Sequence, residues 1–323
     1  MTTTTIIRAV SLAALSLLSA AAIAQDAYPN KPIRLLVGYS AGGGNDIIAR
    51  VVAGKMGEGL GQSVIIENRP GAQSIIAAEL VAKAAPDGYT ILMGPSGPMT
   101  MNPATYSKLP YSPLKDFVPI SIICQFPLIV GVAASGPLKS VKDLIAYARA
   151  NPDKSNYAAS AAPFQLASEL LNQRTGVKFA YIPYKGSGDS VNAVVGGQVT
   201  MTISDPAPIM GPIKAGTIRP LAVTSSQRHW SLPDVPTLNE MGVPDMDVSI
   251  WTGFVAPAAT PMPIVRRLQQ EVARVVCLPD IKERLNGMGL DPVGNTSEEF
   301  AKIIAADIAR WTAVAKAANI KAD

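Results

Sequence analysis

The residues best suited to chemistry lie in one run, Tyr39-Ser40-Ala41-Gly42-Gly43-Gly44-Asn45-Asp46. Adjacent glycines let the backbone approach a bound molecule closely and adopt conformations closed to other residues. Ile47, Ile48, Val51, Val52 and Met56 follow at helical spacing, so the glycines open a helix. The first turn of a helix presents N–H groups without intrahelical partners, at the positive end of the dipole. Such a turn can hold a carboxylate with main chain alone, each charge-assisted bond contributing about 1.5–3 kcal/mol. A plain strand-to-helix turn capped by Asn45 accounts for the same residues, and both readings stand. Asp46 likewise has two roles open to it. It can favour the helix dipole and pair with Arg50 four residues on, or it can accept a hydrogen bond from a ligand ammonium, hydroxyl or bound water. The spacing is not G-x-G-x-x-G, and no G-K-[ST] follows, so neither nucleotide-phosphate fingerprint is met.

Residues for catalysis are sparse. The single histidine, His229, lies in Ser226-Gln227-Arg228-His229-Trp230, which reads as an exposed turn ahead of Pro233. One histidine leaves little for a Ser-His-Asp triad or a histidine-rich metal site. No catalytic residue, metal ligand or cofactor is therefore expected. Of the two cysteines, Cys124 reads as strand and Cys277 as helix. Two buried free thiols are the favoured reading, with a disulfide left open.

A strand at residues 33–37 must precede the glycine turn, and the apolar run must continue as a helix after it. Further strands are expected at 64–67, 89–93, 127–133, 156–160, 179–183, 199–204, 219–224 and 252–256. Helices are expected at 75–85, 140–150, 164–175, 190–195 and 210–215, Ser140 capping the second of these with Asp143 three residues on. Strands alternating with helices indicate parallel βαβ units. The last third instead reads as three helices, 263–276, 279–288 and 297–318, covering the first half of the fold.

Residue Arg8 followed by the uncharged stretch 9–23 and Ala22-Ile23-Ala24 reads as a signal peptide, residues 1–24, cleaved after Ala24. The apolar stretch is shorter than the ~20 residues that span a bilayer, so export to the periplasm is expected, without stable membrane insertion. The formal charge of +4 falls to +3 once Arg8 leaves. Lysines and arginines are scattered, which speaks against nucleic-acid binding.

Glycines and flanking residues at 39–50 resemble the opening motif of the tripartite tricarboxylate transporter receptors, the Bug-type extracytoplasmic solute-binding proteins. Glu67-Asn68-Arg69-Pro70-Gly71-Ala72, Pro86-Asp87-Gly88-Tyr89-Thr90, Asn102-Pro103, Asp116-Phe117-Val118-Pro119-Ile120 and Tyr181-Ile182-Pro183-Tyr184-Lys185-Gly186 continue the likeness in order. So do Leu221-Ala222-Val223-Thr224-Ser225, Leu232-Pro233-Asp234-Val235-Pro236-Thr237 and Ala256-Pro257-Ala258. The resemblance implies an α/β type II periplasmic-binding fold with two α/β domains flanking a cleft. Residues 25–125 and 250–323 would form domain 1, and residues 126–249 domain 2.

In that family a carboxylate sits in the cleft, held largely by backbone amides and waters. By position, one end would be gripped by Tyr39, Ser40, Ala41, Gly42, Gly43, Gly44 and Asp46. The other would be gripped by Ser160, Ala161, Ala162, Phe164 and Gln165, with Ser96, Tyr184 and Asp205 on the cleft walls. The second loop departs from the pattern. It is about two residues shorter, and Gln165-Leu166 stands where relatives carry His-Leu. A less polar distal pocket follows, suited to a monocarboxylate or to an aliphatic or aromatic dicarboxylate. The resemblance further implies a monomer that delivers its solute to the permease subunits of a tripartite transporter. Two competing roles remain: a sensor input for a membrane kinase, and a periplasmic hydrolase or isomerase using Asp46 and Asp205.

Overall fold

The computed structural model describes residues 28–184 and 186–321. The expected signal peptide, residues 1–24, lies outside them. In the first sheet, β1 (Ile33–Val37), β2 (Val64–Asn68) and β3 (Thr90–Pro95) join β4 (Phe117–Pro127), β10 (Ser249–Pro257) and β11 (Asp291–Pro292), in the order β11-β4-β10-β3-β1-β2. A second sheet contains β5 (Ile129–Ala133), β6 (Asn156–Ala159), β7 (Ala180–Pro183), β8 (Met201–Ser204) and β9 (Ile218–Val223), ordered β7-β6-β8-β5-β9. The helices are α1 (Gly44–Leu60), α2 (Ile75–Ala82), α3 (Asn102–Thr105), α4 (Pro113–Asp116), α5 (Val141–Ala150) and α6 (Ala162–Thr175). They continue as α7 (Ser187–Val195), α8 (Pro206–Lys214), α9 (Met262–Val276), α10 (Pro279–Gly287) and α11 (Ser297–Ala317). Ser140 caps α5 as its sequence indicates, its Oγ accepting from the Asp143 amide at 3.1 Å.

Of the five residues of β1 only Arg34 reaches solvent, because helices cover both faces of the sheet. β1 pairs in parallel with β2 and β3, whereas β10 runs antiparallel to both β3 and β4. The expected parallel units are present in both sheets, β6 also running parallel to β7 and β8, but both sheets are mixed, since β5 is antiparallel to its neighbours β8 and β9. The reason lies in the chain path. β4 leaves the first sheet and continues through Leu128 into β5 of the second, and β10 brings the chain back. One strand that departs and one that returns run in opposite directions.

The buried Thr224 fastens these two crossings together. Its hydroxyl accepts from the Leu128 amide at 2.8 Å and donates to the Val248 carbonyl at 2.6 Å. Its own amide and carbonyl bond to Leu128 O and Val248 N.

Helix α9 returns to the first sheet, burying Val265, Leu268, Val272 and Val275 in one core with Ile48, Val52 and Met56 of α1. Arg267 and Arg274 hold the buried Glu271 and also reach the carbonyls of Gly59 and Lys55, tying α9 to the end of α1. Helix α11 departs from the expected role of covering the first half alone. Its Phe300 and Ile304 pack on the first sheet, but Trp311, Val314 and Ala315 join the core formed with Leu170 and Leu171 of α6. A helix of 21 residues reaches roughly 30 Å, enough to touch both halves. Both cysteines are free. Cys124 is buried in β4, where burial pushes its thiol up to about 12, while Cys277 is exposed just beyond α9, contrary to the expectation that both are buried.

Candidate functional site

The glycine turn is built by hydrogen bonds inside it. Gly42 adopts φ 80, in the left-handed region. Its amide donates to Asp46 Oδ2 at 2.8 Å, and the Gly43 amide donates to Ser40 O at 3.1 Å. Gly43, not Asn45, is the N-cap of α1. Asn45 sits one residue inside the helix, and its Oδ1 accepts from Thr252 Oγ of β10 at 3.1 Å. The amides left without an intrahelical acceptor are those of Gly44, Asn45 and Asp46. The free amides therefore begin at the third glycine, two residues past Gly42.

Asp46 is buried, and its carboxylate is fully engaged. It receives Arg50 Nε and Nη2 at 2.9 and 3.0 Å, Asn68 Nδ2 at 2.9 Å and the Gly42 amide. Hydrogen bonding from Arg50, with help from Gly42 and Asn68, holds its pKa at about 2. Asn68 Nδ2 also donates to Tyr39 O at 3.0 Å. Asp46 and Asn68 thus clamp the turn at both ends. The dipole and ion-pair role describes Asp46 in this geometry.

Between the two sheets lies a cavity of about 990 Å³, at the upper end of the roughly 300–1,000 Å³ typical of small-molecule sites. Tyr39, Gly44, Ser96, Ala161, Ala162, Phe164 and Asp205 line it, drawn from both expected loops and walls. Ser40, Ala41, Gly42, Gly43, Asp46, Ser160, Gln165 and Tyr184 are not among its lining residues. Ser40, Ala41 and Gly42 face solvent. Ser160 instead meets Ser187 Oγ at 3.3 Å, and Tyr184 packs on the core beneath α7 and α8.

Gln73, Asn102, Phe126, Met210, Trp230, Ile250, Thr252 and residues 286–290 also line the cavity, although none is expected there from the sequence. Only Asn102 had a sequence signal, in the Asn102-Pro103 match. Its Nδ2 donates to Gln73 O at 3.1 Å. Ala72, Gln73 and Ser74 occupy positive φ in succession (45, 52 and 69). Ser74 presses on Gly38 so closely that any β-carbon there would collide with it.

The walls are mostly apolar. Among the described lining residues only Asp205 and Lys214 carry charge, and no arginine does. Ser96 is buried, and among the described residues its hydroxyl has no hydrogen-bond partner. Left so, it costs about 1–3 kcal/mol, and a ligand oxygen would remove that cost.

Asp205 directly follows β8, and Pro206 opens α8 without any capping bond from the Asp205 side chain. Burial raises its pKa, partly offset by hydrogen bonds from Ser187, its own amide and Ser204, whose Oγ lies 3.3 Å from Oδ1.

Contrary to the expected exposed turn, His229 is buried. Its Nδ1 lies 2.7 Å from Ser231 Oγ, and Nε2 lies 3.5 Å from Asp291 Oδ1. Trp230 Nε1 donates to the same Asp291 oxygen at 2.7 Å, so the segment following the second sheet is joined to β11 of the first at the edge of the cavity. Burial pushes the Asp291 carboxyl up, but the bonds from His229 and Trp230 outweigh it and leave it below its ordinary value. One catalytic-looking pattern escaped the sequence reading: Gly38-Tyr39-Ser40-Ala41-Gly42 spells G-x-S-x-G between a strand and a helix. Ser40 has no histidine base, however, because both ring nitrogens of His229 face Ser231 and Asp291.

Residues 48–320 match the family described as tripartite tricarboxylate transporter family receptor. The chain is 34% identical over 305 residues to protein BugT of Bordetella pertussis, covering 94% of each. Among solved structures it is similar to Rpa4515 of R. palustris with adipate, at 37% identity and a TM-score of 0.79, covering 91% of this chain and 99% of that one. It is also similar to MatC (Rpa3494) from Rhodopseudomonas palustris with bound malate, at 31% identity and a TM-score of 0.75, covering 89% and 99%.

Proposed function

Because the chain belongs to the family of tripartite tricarboxylate transporter receptors, we propose that it is a periplasmic receptor. It holds a small carboxylate in the cleft between its two sheets and hands that solute to a membrane transporter. The observation that carries this reading is the opening of α1 on the cavity. Gly44 and Asn45 line a largely apolar chamber that offers no arginine among its described residues, and the buried Ser96 hydroxyl stands unpartnered beside it. A carboxylate entering there meets preorganised amides at a helix start.

Phe126, Phe164, Ile250 and Pro95 suit a hydrocarbon or aromatic body behind the charged group. A monocarboxylate or a dicarboxylate therefore fits better than a tricarboxylate. Residues 25–125 with 250–323, and residues 126–249, form the two domains, acting as a monomer whose open and closed states are rebalanced by ligand. The hydrolase or isomerase alternative required Asp46 and Asp205 to work together. It finds no support in a carboxylate already held by Arg50 and Asn68.

Mass spectrometry of solute co-purifying with the native protein, followed by calorimetric titration of carboxylates, tests the binding role. A carboxylate is expected in both, and binding restricted to citrate-like solutes would overturn the ligand class. Deleting the gene should abolish uptake of that solute. Loss of transcriptional induction with uptake intact would identify a sensor instead.

A further inference from the structure

The two walls of the cleft differ in chemistry. On the first-sheet wall the polar groups are neutral: the opening amides of α1, the Ser96 hydroxyl and the Asn102 side chain. On the second-sheet wall stands Asp205, mostly buried, with no ion-pair partner among the described residues. It does not cap its own helix. Its donors are its own amide and two hydroxyls: Ser204 Oγ at 3.3 Å, and Ser187, which is itself 3.3 Å from Ser160 Oγ. A carboxylate offers about four acceptor positions, and these three donors leave part of that capacity unfilled. Lys214, the other charged lining residue, is exposed and makes no ion pair with it.

Resting on the receptor reading above, we infer that Asp205 selects for a hydrogen-bond donor at the end of the solute remote from its carboxylate. The preferred solute is then a hydroxy- or amino-substituted monocarboxylate rather than a symmetrical dicarboxylate. A second carboxylate placed against Asp205 would set two like charges side by side, and this burial already disfavours the charged form of Asp205 alone. A hydroxyl or ammonium there would take up the remaining acceptor capacity. A solute with a plain methyl end would leave Asp205 desolvated and unpaired, an error that hydrogen-bonding sites discriminate strongly.

The test is calorimetric titration, at pH 7.5, of wild-type protein and of Asp205→Asn and Asp205→Ser with four- and six-carbon chains. Each chain carries one carboxylate alone, one carboxylate with a terminal hydroxyl, or two carboxylates. Wild type should favour the hydroxy acid over the diacid of equal length by about tenfold or more. Asp205→Asn should bring the three classes within a few-fold of one another, chiefly by gaining affinity for the diacid. Retained binding of the simple monocarboxylate shows that each variant is folded with its first wall intact. A wild-type preference for the diacid, or a rank order unchanged in both variants, would overturn the inference while leaving the receptor reading in place. Failure of every chain to bind wild type would remove both.

Discussion

A β-carbon added at Gly44 would meet nothing within 4 Å beyond its chain neighbours and its own helix, yet this glycine lines the cavity. Gly44→Leu should therefore occupy ligand space without disturbing the fold. The expected result is a loss of affinity of about tenfold or more, equivalent to roughly 1.4 kcal/mol, with a melting temperature within a few degrees of wild type. Unchanged affinity in titration would remove the opening of α1 from the site. Asp46 makes a different prediction, because its work lies behind the site. Its folded pKa of about 2 lies below the ordinary value of 3.8. Its stabilisation is thus present above pH 4 and is lost as pH falls towards 2. Arg50 is half exposed, so solvent screens part of the pair, and the contribution is about 1–2 kcal/mol. Wild type minus Asp46→Asn, compared by urea unfolding from pH 2 to 6, should show that difference shrinking with acid. A constant difference would contradict the assignment. Asp205 acts in the opposite sense. With its folded pKa raised, it favours the fold at low pH and weighs against it as pH climbs through that raised value.

Among the elements, the crossing strands carry the most consequence. Thr224 joins the exit from the first sheet to the return from the second through one hydroxyl that both donates and accepts. Thr224→Val keeps the shape and removes both bonds, leaving the Leu128 amide and Val248 carbonyl short of a partner. Chemical unfolding should show about 1–3 kcal/mol of lost stability, and a change under 0.5 kcal/mol would mean that the crossings do not depend on the hydroxyl. Most elements were legible from periodicity. The strand before the glycines and the helices at 263–276 and 279–288 fall within a residue or two of α9, α10 and β1. The antiparallel course of β10 was not legible, because strand direction follows from the chain's return after more than a hundred residues and not from local pattern. The helix start was misplaced by two residues because Asn45, a good cap by type, is drawn inward to Thr252, a partner 207 residues away. For the same reason the first wall of the cavity was partly readable from its glycines. Residues 286–290 and Trp230 were not, since tertiary packing alone brings them there.

At the scale of the whole molecule, two sheets share a cavity, and at its edge Trp230, from the segment after the second sheet, bonds to Asp291 in β11 of the first. If ligand capture depends on drawing the halves together, this bond should slow release. Trp230→Phe keeps the ring and removes the N–H. It should weaken affinity by about threefold to tenfold, mainly through faster dissociation in stopped-flow measurement. An unchanged off-rate would show that the bond does not contribute to retention. The other two tryptophans, Trp251 and Trp311, are 2% and 1% exposed, while Trp230 is 53% exposed. The chain therefore carries its own optical gauge. Shielding one indole at the mouth of the chamber should shift ultraviolet emission towards the blue against a steady background from the other two, reporting occupancy without any attached dye.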